Sequence, residues 1–123
     1  MPNSVETANR WLNLLKEQAI PNHDALIQQI AAGKITHICE CGCHGFDFEV
    51  ADFASLAQLK EGSGLFCELA FESNYPEEID ILLFTDKRGF LNRVDVTYGA
   101  ANSGDMPDDI MPTILKCVWP AAT

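Results

Sequence analysis

The sequence predicts an α+β fold: two N-terminal helices packed on a mostly antiparallel sheet of about five strands, in a single domain over residues 1–123. Three observations carry this expectation. Apolar residues recur at helical spacing from Val5 to Ala31, and beyond Ile35 the period changes to two. Helices and strands are therefore segregated along the chain rather than alternating, as in α+β folds. A length of 123 residues with 47% apolar content is that of one ordinary domain able to build a core without staples.

The first helix is expected to be capped by Asn3, with Glu6 reaching back as in a capping box. Val5, Ala8, Trp11, Leu12, Leu15 and Ala19 form its apolar stripe, and Pro21 stops it. Asn22 reads as the cap of a second helix carrying Leu26, Ile27, Ile30 and Ala31 on one face, with Gly33 as its C-terminal stop.

Ile35 to Glu40 reads as a strand, followed by the turn Cys39-Glu40-Cys41-Gly42-Cys43-His44 and a second strand, Phe46 to Val50. In that strand Phe46, Phe48 and Val50 face one way and Asp47 and Glu49 the other, the alternation of a half-buried antiparallel strand. The cysteines then lie at a hairpin tip. Asp52 to Leu59 fits a short helix but is too brief to fix. Leu65 to Glu72 and the nearly continuous apolar run Ile79 to Phe84 are further strands, the latter central. Asp86-Lys87-Arg88-Gly89 is a tight turn in which Gly89 takes positive φ in a bulged hairpin, leading to a fifth strand from Phe90 to Tyr98. Gly99 to Pro112 is rich in Gly, Asn, Asp and Pro and reads as a loop. Ile114, Leu115, Val118 and Trp119 let the tail dock on the core, with Trp11 and Trp119 as core anchors.

Composition narrows the function. The longest unbroken apolar stretch, residues 81–84, is far short of the roughly 20 residues a membrane span needs. The N-terminal residues show no basic region followed by an apolar core, so a cytoplasmic location is expected. A formal charge of −10 with only eight Lys and Arg argues against a nucleic-acid surface and in favour of solubility or a basic protein partner.

Five cysteines, three of them within five residues, make an awkward disulfide framework and suggest thiols or metal ligands. Residues two apart on a strand have Cα atoms roughly 6.6 Å apart, whereas thiolates on one zinc need sulfurs roughly 3.8 Å apart. Cys39 and Cys41, or Cys41 and Cys43, converge by leaning together. Four ligands from Cys39, Cys41, Cys43 and His44 on one ion are harder to arrange, and His37, Cys67 and Cys117 are isolated in sequence. Zinc is the cofactor this pattern would take; the competing reading is of thiols acting as small hydrophobes. For thiol catalysis, Cys43 and His44 point to opposite faces, His37 and Cys39 share one, and no oxyanion donor or third orienting group is identifiable. The chain therefore reads as non-catalytic. Asp47, Glu49, Glu68, Glu72, Asp80, Asp86 and Asp95 fall mostly on the outward side of the strands, where they form a solvated face or an acidic docking surface.

The run Cys39-Glu40-Cys41-Gly42-Cys43 followed by Phe46-Asp47-Phe48-Glu49-Val50 resembles the signature of a family of small uncharacterised bacterial proteins with a Cys-x-Cys-Gly-Cys hairpin. The later hairpin, Ile81 to Val96, resembles that family's second landmark, with Asp95 where members often carry Glu. By size, charge and build the chain is also similar to immunity proteins that neutralise secreted bacterial toxins. That likeness implies a cytosolic interaction protein binding a basic toxin or nuclease domain through Asp47, Glu49, Glu68, Glu72 and Asp95. The alternative is a metal- or thiol-dependent module at Cys39, Cys41 and Cys43.

Overall fold

The computed structural model describes residues 3–40, 43–51, 55–99, 106–107 and 109–120. The first helix, α1 (Val5–Lys16), starts one residue later than the capping pattern suggests: Ser4 is the cap, its hydroxyl accepting from the Thr7 amide at 3.1 Å. Asn3 instead ties the N-terminus to the sheet, its Nδ2 donating to the Gly45 carbonyl at 2.7 Å. The helix also ends before Pro21. Amides of Glu17 and Gln18 bond back to Leu14 and Leu15, closing the last turn. Ala8, Trp11, Leu12 and Leu15 are buried as the stripe requires, whereas Val5 and Ala19 are exposed.

The second helix, α2 (His23–Ala32), is turned relative to the sequence pattern. Asn22 occupies the cap position in a left-handed conformation without a side-chain cap bond; its Nδ2 donates to Leu59 O at 2.6 Å instead. Ala25, Leu26 and Gln29 face the core, while Ile27 and Ala31 face solvent. Gln29 is fully buried: Nε2 donates to Ala57 O at 2.7 Å and Oε1 accepts from the Leu91 amide at 2.8 Å. Two backbone groups from separate segments thus find their partner in one side chain, which explains a polar residue where an apolar one fits the period. Gly33 is extended and opens the next strand directly. Its role is close approach, because a Cβ there would overlap the Phe48 ring and lie 2.7 Å from Glu49 O.

The strands are β1 (Gly33–Ile38), β2 (Phe46–Val50), β3 (Gly64–Ser73), β4 (Ile79–Thr85), β5 (Leu91–Tyr98) and β6 (Pro112–Trp119). They form one sheet in the order β1-β2-β5-β4-β3-β6, every pairing antiparallel. The expected five strands are present, and the tail adds a sixth: residues 112–119 pair with β3 at the sheet edge, and of the four apolar residues expected on the core Val118 packs against it while Ile114, Leu115 and Trp119 are exposed. Trp11 is a core anchor; Trp119, 58% exposed, is not. The expectation of a short helix falls partly on residues 52–54, outside the described residues; residues 55–59 have no regular structure.

The core occupies the helix-facing side of the sheet. Phe46, Phe48 and Val50 from β2, Ile79, Ile81 and Leu83 from β4, and Leu91, Val94 and Val96 from β5 are buried there against α1 and α2. Two register shifts break the simple alternation. A bulge near Leu65 lets both Phe66 and Cys67 be buried, and one near Asn92 brings Leu91 into the core beside Val94. The 86–89 turn closes as expected: Asp86 Oδ1 accepts from the amides of Arg88 (2.8 Å) and Phe90 (3.2 Å), and Gly89 has φ 82°. Among the described residues, no helix is long and apolar enough to cross a membrane.

Candidate docking face

The hairpin tip and the open sheet face are the two places to which the sequence points for function. At the tip, the Cys39 amide donates to Gly45 O at 3.0 Å, so the β1–β2 pairing extends to the cysteines. Cys39 is disulfide-bonded, and Cys41 lies outside the described residues. Cys43 is half-buried, its Sγ 3.4 Å from the Gly45 amide. Neither Cys67 nor Cys117 reaches this end, because β3 and β6 lie at the far side of the sheet from β1 and β2. Burial pushes the Cys67 thiol up to about 12, with Glu68 adding to it, which makes that sulfur an inert core atom. Among the described residues no three His, Cys, Asp or Glu side chains are grouped to hold a metal ion.

His44 points inward rather than to the tip. Its Nδ1 accepts from Trp11 Nε1 at 3.1 Å, and its amide donates to Val96 O at 3.0 Å. Only 4% of the residue is exposed, and burial, with the Arg10 charge as the next cause, lowers its pKa to about 4. His44 is thus a neutral core acceptor that locks α1 to the sheet. A folded pKa below the ordinary 6.5 means that the unfolded chain takes up the proton first, so this group's stability contribution is complete above pH 6.5 and is lost as pH falls toward 4. His44→Gln keeps an acceptor but cannot titrate. Urea denaturation at pH 7 and pH 4.5 is expected to show wild type losing about 2 kcal/mol relative to this variant across that interval. A constant difference between the two proteins contradicts the assignment.

The open face is built by strand parity. Cross-strand rows run Asp95–Leu82–Glu68–Trp119 and Thr97–Asp80–Ala70–Cys117, continued at one end by His37–Asp47–Arg93–Phe84. Glu49 shares the face, opposite Lys34, and Glu72 lies one step beyond Ala70 on β3. All five predicted partner-binding carboxylates (Asp47, Glu49, Glu68, Glu72 and Asp95) therefore belong to the side of the sheet away from the helices. Asp86 does not; it is committed to its turn and to Arg88, with Arg88 Nη2 at 2.8 Å.

These charges are unequally compensated. Arg93 bridges Asp47 (Nη1–Oδ1 2.7 Å) and Asp95 (Nε–Oδ1 2.6 Å), and Lys116 holds Glu78 at 2.7 Å. Glu68 makes no ion pair among the described residues. Between these groups lies a shallow hollow of about 460 Å³, with Ala70 and Leu82 on its floor and Glu68, Glu78, Asp80, Asp95, Cys117 and Trp119 around it.

Asp80 and Glu78 perturb each other's ionisation in this hollow. Burial, then the hydrogen bond and charge of Glu78, pushes Asp80 up to about 7; the hydrogen bond from Asp80, then Lys116, holds Glu78 below its usual range. Since the folded pKa of Asp80 exceeds its ordinary 3.8, stability attributable to it falls as pH rises from 3.8 to 7. Asp80→Asn is expected to raise stability at pH 8 by about 1 kcal/mol after solvent screening, and to leave it unchanged at pH 3.5. Thermal melts at the two pH values check this; equal shifts at both sink it.

The sequence places the five carboxylates correctly but misses what surrounds them. Asp80 and Leu82 share parity with Glu68 and Asp95, a signal available in the alternation. Trp119 and Cys117 join the face only because the tail forms β6, which the β-branched and apolar run from Thr113 to Trp119 hints at. Comparison of the chain with family models, curated proteins and solved structures returns no match, so the open face is read from its own geometry.

Proposed function

We propose that this is a non-catalytic interaction protein that docks a basic partner domain, such as a toxin nuclease, on the open face of its sheet. The observation that supports the reading is the placement of Asp47, Glu49, Glu68, Glu72, Asp80 and Asp95 on one side of the six-stranded sheet, with Glu68, Asp80 and Asp95 bordering a hollow floored by Ala70 and Leu82. With a net charge of −10, such a face attracts a cationic domain over distance and accelerates encounter. The exposed Trp119 at its border is of the residue type that anchors interfaces. Asp80 supports the reading from the energetic side. A carboxyl held out of its preferred ionisation state weakens the fold at neutral pH, as functional positions often do. A partner's Lys or Arg would restore the charged form. The likeness to immunity proteins adds the class of partner. Titration calorimetry with the basic product of an adjacent gene, run at rising salt, tests the reading: affinity is expected to fall steeply with ionic strength. No binding to any basic neighbour counts against it.

A second reading is a thiol-dependent hairpin tip, which the disulfide at Cys39 favours over a metal-dependent one because a disulfide sulfur is not a thiolate ligand. Zinc would require reduced Cys39, Cys41 and Cys43. Elemental analysis and thiol titration of reduced, chelator-free protein decide between the two forms. Metal well below one per chain, with freely titrating thiols, removes the zinc form.

A further inference from the structure

Resting on the docking reading above, we infer that the partner contributes an extended, lysine- or arginine-bearing segment that adds as a seventh strand along the outer edge of β6. Among the described residues the sheet order leaves β6 terminal, with a row of backbone donors and acceptors facing outward. Its side chains are unusual for a terminal strand. Of the six large apolar residues that stand exposed among the described residues, Ile114 (61%), Leu115 and Trp119 are in β6, and Met111 immediately precedes it. Natural sheets protect such edges with charge, and here the lysine of the strand, Lys116, is drawn back onto Glu78. A strand edge that is both unpaired and apolar is a template for main-chain pairing.

Charge selects the occupant. A strand laid beside β6 extends the rows that end in Trp119 and Cys117, and its open-face side chains fall next to Trp119, with Glu68 one strand further in and Glu72 on the same strand as Glu68. Cationic side chains there would stack on the indole and approach the carboxylates, while apolar ones on the alternate side would cover Leu115 and Val118. A second copy of this chain fits poorly, because edge-to-edge pairing of β6 would bring two faces of the same sign together on molecules that each carry −10.

The test uses the full chain and three synthetic probes. The first is a capped eight-residue peptide alternating lysine with threonine or valine, matching the eight residues of β6. The second and third are the same peptide N-methylated at one or the other set of alternate amides. Trp119 fluorescence, against a Trp119→Phe control, reports binding. The parent is expected to bind, and one of the methylated peptides to bind about tenfold or more weaker, since only one set of amides faces β6. If both methylated peptides match the parent, strand addition is overturned while charge docking stands. If the peptides fail but a folded lysine-rich protein binds in a Glu68-dependent way, strand addition is likewise overturned. If neither peptide nor folded basic protein binds, the docking reading itself falls. Sedimentation showing a dimer in the absence of peptide, broken by Leu115→Lys, would assign the edge to a second copy and overturn the proposal.

Discussion

Replacing Gln29 with alanine is expected to destabilise the protein by about 3–5 kcal/mol, as much as truncating a fully buried core leucine. Two effects add. The buried Leu91 amide loses its partner at a cost of roughly 1–3 kcal/mol, and the part-buried Ala57 carbonyl loses its partner at a smaller cost. A cavity also opens where the fully buried side chain stood. The contrast variant is Gln29→Glu, which keeps the shape and the acceptor for Leu91 but replaces the donor to Ala57 with an oxygen. It is expected to recover stability as pH is lowered and the carboxyl becomes protonated, because a carboxylic acid restores one donor. Urea titrations of the two variants, at pH 7 and pH 4.5, separate the cavity from the hydrogen bonds. A loss under 1 kcal/mol for Gln29→Ala would show that the 57–59 segment repacks freely.

Gly89→Ala is expected to cost about 3–4 kcal/mol, although it adds only one methyl group, because the turn is buried at this residue. With φ at 82°, alanine meets a conformational penalty of roughly 1–2 kcal/mol. The larger part is steric. The new Cβ would overlap the Lys60 carbonyl oxygen and stand 2.8 Å from Gln58 Cβ. Relief requires moving the 58–60 strand of loop, which is held by the Leu59 amide bond to Gly89 O at 2.8 Å and by Asn22 on Leu59 O. Moving it disturbs the seat of Leu59, which is buried in the core. Gly62→Ala is the internal control: φ is also positive, at 76°, but a Cβ there meets nothing within 4 Å. It should cost only the conformational part. Equal losses at the two positions would contradict the steric account.

The architecture was legible where one physical signal dominated. Phe46–Val50 alternates cleanly, and its strand has the bounds the alternation predicts; Gly89 sits at the positive φ its turn demands. The readings that shifted did so where a tertiary partner outweighed a local rule. Asn3 fits a capping pattern, yet Ser4 takes the cap because Asn3 has Gly45 O to bond. Ile27 fits the apolar period of α2, yet Gln29 is turned inward by two backbone groups, the Ala57 carbonyl and the Leu91 amide, that lie 28 and 62 residues further along the chain. Trp119 looked like a core anchor because large aromatics usually are, whereas pairing of β6 with β3 places it in solvent opposite Glu68. For the open face, parity sufficed to put the carboxylates together. The unequal compensation by Arg93 and Lys116, and the opposed shifts of Asp80 and Glu78, depend on side-chain conformations that no period encodes.

Charge reversal tests the open acidic face as a docking surface most directly. The measurement is the association rate and affinity for the basic partner domain of a Glu68→Lys/Glu72→Lys double variant, beside a Glu17→Lys/Asp24→Lys variant. Both pairs change net charge by the same amount, and all four residues are exposed, the second pair on the helix side. The docking account predicts that the sheet-face variant loses about a hundredfold or more in affinity and most of its salt dependence, while the helix-side variant changes only modestly. Equal losses in the two variants, or a larger loss on the helix side, would contradict it.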